Sequence, residues 1–175
     1  MIVLVLPETY PYIVAGLAAN FLLCQFCMPL IGMRARLSTF TKEFIGQFEE
    51  EHRQHYPESK PDPMGNPDQG TGWYAQKLPL KDWVRFQSAQ RIIMNQIEFF
   101  PTLIICSLLC GLLYPIFAIV GVWGVFVARI IYIVGYKMAP KLRVLGFLPI
   151  FLLTNMMIIL SFVSAIQLFW FTGSD

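Results

Sequence analysis

A chain of 175 residues that is 56% hydrophobic and only 14% charged, with a mean hydropathy of +0.57, lies well outside the range of soluble globular domains. Its net charge of +2 is not gathered into a basic stripe, so no nucleic-acid partner is expected. What the composition leaves is an integral membrane protein whose first partner is membrane lipid.

Charge-free runs extend over Thr9–Met33, Phe99–Ala128 and Val144–Ser174, each longer than the roughly 20 residues that cross a hydrocarbon core. The middle run holds parts of two spans, because Tyr114-Pro115 is a natural break: proline ends one helix and suits the first turn of the next. The expected spans are therefore about 12–33, 83–113, 115–137 and 144–171. With very short second and third connections the expected fold is all-α, an antiparallel four-helix transmembrane bundle forming a single domain over residues 1–175. Met1–Leu6 is too short for a signal-peptide core, and the first span is expected to act as a signal anchor. Lys and Arg concentrate in the first and third loops, which the positive-inside rule places on the cytosolic or matrix side. The expected setting is the endoplasmic reticulum membrane, with a mitochondrial membrane as the alternative.

In the first span Gly16, Ala18 and Ala19 offer a surface for close helix packing. Asn20 and Gln25 are its polar groups, read as interhelical hydrogen-bond partners. Arg34 and Arg36 close the span as interfacial anchors. The cysteines, Cys24, Cys27, Cys106 and Cys110, all fall inside spans and read as small apolar side chains rather than metal ligands.

Residues 37–81 are not membrane-like. The stretch TFTKEFIGQFEEEHRQHY sets Phe40, Phe44, Ile45, Phe48 and Tyr56 at helical spacing, which predicts an amphipathic helix needing a surface to cover its apolar face. The stretch that follows is rich in Pro and Gly and predicts an irregular loop, with Trp73 and Tyr74 as headgroup-level anchors. The segment is expected to be dispensable for the bundle. His52 and His55 near Glu49 and Glu51 read as a solvated charged face, with no metal expected.

The second span carries Arg91, Asn95 and Glu98 into an apolar run. At about 100° per residue, Gln87, Ser88, Arg91, Asn95, Glu98 and Thr102 fall within roughly a 100° sector. A face bearing a cation, an amide and a carboxylate must turn toward protein or a wet cavity, because ionisable groups facing lipid cost several kcal/mol. Counting about 1.5 Å per residue from Leu113 puts Glu98 about 22 Å up the helix and inside hydrocarbon. Counting likewise from Pro115 puts Arg129 about 21 Å, Tyr132 about 26 Å and Tyr136 about 32 Å up the third span, on one face. Glu98 is expected to be ionised and paired with Arg129 or Arg91. Lys137, Lys141 and Arg143 cap the same end, giving a cluster shaped for a small zwitterionic or polyanionic molecule. The fourth span reads as bundle packing and lipid contact, ending in the aromatic cluster Phe169-Trp170-Phe171.

Two motifs stand at the correct span positions: Phe86, Gln90, Arg91, Asn95, Glu98, Phe100 and Pro101 in the second span, and Ala128, Arg129, Tyr132, Gly135, Tyr136, Leu142 and Arg143 in the third span and its loop. Together they resemble the membrane-associated proteins of eicosanoid and glutathione metabolism, the MAPEG family, in its microsomal glutathione transferase form. The resemblance covers roughly residues 12–171, apart from the long first loop. It implies a homotrimer, or a subunit of a larger membrane complex, that takes glutathione as co-substrate and acts on a lipophilic small molecule. By position, Arg91 and a neighbouring protomer's Arg34 would hold the glutathione carboxylates. Asn95, Glu98, Tyr132 and Tyr136 would hydrogen-bond its amine and peptide groups, and Arg143 would be catalytic by stabilising the thiolate. Ile93 and Phe99 stand where the active branches carry polar contacts, and each removes a hydrogen bond of about 1 kcal/mol. The implied activity is that of a glutathione transferase or peroxidase; the alternative is a non-catalytic scaffold or accessory subunit.

Overall fold

The structure, a computed structural model, describes residues 6–64 and 68–172. Gly65–Pro67 of the expected Pro/Gly loop, the Phe171 ring of the expected terminal cluster and the residues before Leu6 lie outside the described set. The described residues are helical without strands: α1 (Tyr10–Cys27), a π-helical turn (Met28–Met33), α2 (Arg34–Thr39), α3 (Lys42–Gly46), α4 (Glu49–His55), α5 (Leu80–Leu113), α6 (Pro115–Met138), a 3-10 turn (Pro140–Arg143) and α7 (Val144–Thr172). Among them, four segments are long and apolar enough to cross a membrane: Tyr10–Thr39, Leu80–Leu113, Pro115–Met138 and Pro140–Trp170. The protein is thus the all-α multi-span membrane protein that its composition requires.

The wide π turn holds Pro29. Proline lacks an amide proton and crowds the carbonyl one turn back, and a π turn absorbs that misfit without ending the helix. Pro115 opens α6 directly after Tyr114, where its missing N–H costs nothing.

The chain divides into two compact units. The first comprises residues up to Cys24 and from Asn95 onward, and its core is a four-helix bundle. Ile13 and Leu17 of α1, Leu103 and Cys110 of α5, Ala118, Val122 and Val125 of α6, and Met157 of α7 are buried together. Glycine governs the approach of α1 to α6, since a Cβ at Gly16 would strike Val122. At the same crossing Asn20 Nδ2 donates to the carbonyls of Gly16 (2.9 Å) and Val122 (3.0 Å). Asn20 therefore acts as an interhelical hydrogen-bond partner. Ser161 of α7 likewise donates to the Cys106 carbonyl of α5 at 2.8 Å, and the Tyr114 hydroxyl donates to Gln167 Oε1 at 3.1 Å. Such bonds are worth about 0.6 kcal/mol on average in a membrane, so their main effect is to fix register.

The second unit comprises Gln25–Met94. The expected single amphipathic helix is here divided into α3 and α4, because the chain leaves helical geometry at Phe48 (φ −108°, ψ 12°). Thr41 caps α3 by accepting from the Phe44 amide at 3.2 Å, the role its hydroxyl favours at a helix start. The Glu43 carboxyl is held below its usual range by a backbone hydrogen bond and then by the Thr41 hydroxyl. The apolar face does find a cover: Phe40 and Ile45 are buried with Ala75 and with Phe86 of α5, and Trp83 packs beside them. Trp73 and Tyr74 are part of the same aromatic packing. Phe48 lies 5.2 Å from Trp73 and 5.7 Å from Tyr74 by ring centroid, and Lys77 stands over Trp73 at 4.3 Å.

Asp68 gives the Pro/Gly stretch an internal organiser. Its carboxylate, 4% exposed, accepts from the amides of Gly70 (2.8 Å), Gly72 (2.9 Å) and Ala75 (2.7 Å). Arg36 Nη1 donates to the Asp68 carbonyl at 2.7 Å, so this arginine is a loop tether as much as an interfacial anchor. Gly70 takes φ +107°, a conformation for which glycine is suited, and its carbonyl accepts from Trp83 Nε1 at 3.1 Å.

Hydrogen bonds to a charged acceptor contribute about 1.5–3 kcal/mol each. Asp68→Ala is therefore expected to destabilise the second unit by about 2 kcal/mol or more and to open residues 56–80 to protease, while the transmembrane bundle stays resistant. Unchanged cleavage of that stretch would show that Asp68 is not its organiser.

Candidate functional site

The polar residues of α6 form the centre of the candidate site, and their contacts lie within the first unit. Arg129, 5% exposed, and Asn95, 8% exposed, meet at 2.6 Å through Arg129 Nη1 and Asn95 Oδ1. The guanidinium also lies 5.3 Å from the centroid of Phe99, whose ring face attracts a cation. Asn95 is thus the acceptor that Arg129 engages directly, a contact that the sequence reading, which paired Glu98 with Arg129 or Arg91, did not include. A small recess of about 10 Å³, lined by Asn20, Cys24, Gln96 and Arg129 among others, adjoins the pair and is large enough for about one water.

One helical turn on, Tyr132 and Tyr136 are buried at 4% and 6% exposure with their rings 5.5 Å apart and nearly perpendicular. The Tyr136 hydroxyl accepts from Arg143 Nη1 at 3.1 Å, and the Arg143 guanidinium lies 5.6 Å from the Tyr136 ring. Backbone geometry brings Arg143 there. Ala139 N donates to Gly135 O (3.0 Å) and Leu142 N to Ala139 O (2.9 Å), folding the Pro140–Arg143 turn back over the end of α6. Two glycines permit the approach: a Cβ at Gly135 would stand 2.7 Å from the Leu142 carbonyl oxygen, and one at Gly146 would collide with the Tyr132 amide nitrogen. The result is a continuous polar run from the buried Arg129–Asn95 pair, through two tyrosines, to the exposed Arg143.

Glu98 is exposed on the surface of the chain, three residues beyond Asn95 on α5. The structure thus pairs Asn95 with Arg129 and, farther along the same face of α6, joins Tyr132, Tyr136 and Arg143 in a second set of contacts. Arg34 and Arg91 belong to the second unit, where both are exposed. Ile93 of that unit is 6% exposed and fills the space that a side chain at Gly32 would need.

A family model described as the MAPEG family matches residues 14–163. The chain belongs to the MAPEG family. Membership makes it an integral multi-pass membrane protein of the eicosanoid and glutathione metabolism kind. No curated protein matches the sequence. The MAPEG match takes in α5, α6, the intervening turns and most of α7, the elements that carry the run from Arg129 to Arg143.

Because Gly146 meets main-chain atoms, which cannot swing aside as a flexible side chain can, substitution there should exceed the usual cost of over-packing, about 1–3 kcal/mol. Gly146→Val is expected to lower the melting temperature in detergent, whereas Leu145→Val, at an exposed neighbour, should leave it within a few degrees. Equal stability of the two variants would contradict the close α6–α7 approach.

Proposed function

We propose that this MAPEG protein is a glutathione-dependent membrane enzyme that adds the glutathione thiolate to a lipophilic electrophile or reduces a lipid hydroperoxide. The observation that carries the reading is the polar run from Asn95 and Arg129 to Arg143, which ends in an exposed guanidinium held by Tyr136. A donor-rich surface at one end of a membrane bundle fits a small peptide with two carboxylates. In this reading Arg91, with Arg34 supplied by a neighbouring copy, holds carboxylates. Asn95, Glu98, Tyr132 and Tyr136 make the neutral and ammonium contacts.

Arg143 is the proposed catalytic residue. A guanidinium carries five N–H donors, so the hydrogen bond to Tyr136 leaves others for a sulfur. Its charge favours thiolate over thiol, and the thiolate is the nucleophile. In the transfer reaction the thiol proton passes to water, the sulfur bonds to the electrophilic carbon, and the displaced or newly anionic atom takes up a proton. In the peroxidase reaction two thiols are oxidised to one disulfide as the hydroperoxide is reduced to an alcohol and water.

The proposed assembly is a homotrimer. Its support is membership of the MAPEG family, which is often trimeric. The proposed setting is the endoplasmic reticulum, with the basic loops on the cytosolic side and a mitochondrial membrane as the alternative. A second reading, a non-catalytic scaffold or accessory subunit of a membrane complex, draws on Ile93, which is packed against Gly32 and offers no polar contact.

The two readings separate on kinetics. One charge-assisted contact is worth about 1.5–3 kcal/mol, so Arg143→Ala should lower turnover roughly ten- to a hundredfold and should affect glutathione binding less. Arg91→Ala should show the converse split, weaker binding with a smaller effect on turnover. Wild-type protein without glutathione-dependent turnover of any lipophilic electrophile or hydroperoxide would favour the scaffold.

A further inference from the structure

The second unit holds a cavity of about 830 Å³ whose lining lies between Glu51 and Tyr74, apart from every residue of the polar run. Its size is that of a small-ligand pocket. Tyr56, Trp73 and Tyr74 supply aromatic surface, and the charged side chains of the lining are two carboxylates, Glu51 and Asp62, and one ammonium, Lys60. The chain turns back on itself to form the wall. His52 Nε2 and Ser59 Oγ are hydrogen-bonded at 2.9 Å and the His52 and Tyr56 rings lie 5.3 Å apart, which ties α4 to the stretch that carries Lys60 and Asp62. Trp73 and Tyr74 stand nearly perpendicular at 4.9 Å. Burial and then the Glu51 carboxylate push the Tyr74 hydroxyl above its usual range, so the field of that acid reaches the ring. Trp73 already attracts one cation, since Lys77 Nζ stands 4.3 Å from its centroid.

Aromatic faces beside carboxylates attract an organic cation. A primary ammonium brings three N–H donors that each need an acceptor, whereas a trimethylammonium has none to satisfy and packs its methyl groups on the rings. Lys60 opposes a cation alone but suits one that carries a phosphate beside it. We propose that this cavity is a phosphocholine site, with the trimethylammonium group against Tyr56, Trp73 and Tyr74 on the side of Glu51 and Asp62, and the phosphate at Lys60. The group can come from a phosphatidylcholine headgroup or from a soluble phosphocholine. Chain position favours the lipid: the segment that carries the cavity begins after Thr39 and ends before Leu80, the ends of two segments long and apolar enough to cross a membrane, and tryptophan and tyrosine suit headgroup depth. The site stands independently of the glutathione reading.

The test is calorimetric titration of the full-length protein with soluble phosphocholine, in a maltoside detergent and in bilayer discs of phosphatidylglycerol or of phosphatidylcholine, with melting temperatures recorded for every variant. Saturable binding is expected in detergent and in phosphatidylglycerol, with tetramethylammonium competing and inorganic phosphate failing to compete. In phosphatidylcholine discs the lipid already fills the site, so added phosphocholine should give no binding heat; heat equal to that in phosphatidylglycerol would keep the site and assign it to the soluble molecule. Tyr56 is 64% exposed, so its substitution leaves the packed core intact. Tyr56→Leu should weaken phosphocholine about three- to tenfold, while Tyr56→Phe keeps the ring and should change it less than about twofold. Glu51→Gln should weaken it about two- to fivefold. Lys60→Gln should weaken phosphocholine but not tetramethylammonium, which separates the two poles of the site. Inorganic phosphate binding as well as phosphocholine would overturn the proposal, as would the absence of saturable binding in both detergent and phosphatidylglycerol. So would Tyr56→Leu and Glu51→Gln variants that melt like wild type and bind phosphocholine with wild-type affinity.

Discussion

A guanidinium inside a membrane bundle must be solvated by the protein that buries it, and Arg129 meets that demand with the Asn95 carbonyl at 2.6 Å and the face of Phe99. Leaving such a cation without an acceptor would cost several kcal/mol, far more than the roughly 0.6 kcal/mol of an average interhelical hydrogen bond in a membrane. The pair therefore fixes the level at which α5 and α6 face each other within the bundle. Tyr132 and Tyr136 follow from Arg129 by helical periodicity, and the glycines at 135 and 146 let the next turn close over them.

From that anchor the chemistry changes in an ordered way. At the buried end the charge is solvated by a neutral amide and an aromatic face. At the rim, Arg143 is exposed and shares one donor with Tyr136, so its charge can act on something outside the chain. In the proposed glutathione reading this divides orientation, at the buried cation, from reactivity, at the accessible one, since a thiolate must be stabilised where its substrate can also reach it. The second unit is built by different means, from aromatic packing and from a carboxylate that gathers backbone amides around Asp68.

The spans could be read directly from the sequence, because long charge-free runs and a Tyr114-Pro115 break have few physical alternatives. The stripe of Arg91, Asn95 and Glu98 was visible for the same reason, as polar residues stand out at helical spacing in an apolar run. The partner chosen by Arg129 could not be read, because depth matching gives Glu98 and Asn95 nearly equal claims and only side-chain contact separates them. Asp68 was hidden in a stretch whose prolines and glycines signal a loop but not its hydrogen bonds. The division of the amphipathic stretch into α3 and α4 was missed because apolar periodicity continues across Gln47 and Phe48 while the backbone does not. The π turn has a visible cue in Pro29, although proline signals a misfit without saying how the helix absorbs it.

The central claim is that Arg143 and the run behind it exist to bind glutathione as a thiolate. The most direct measurement is ultraviolet difference absorbance of purified wild-type protein titrated with glutathione at neutral pH, with the S-methyl derivative as control. The account predicts saturable thiolate absorbance from glutathione and none from the control, at a pH where free thiol is largely protonated. Saturable binding without thiolate absorbance, or no binding at all, would contradict it.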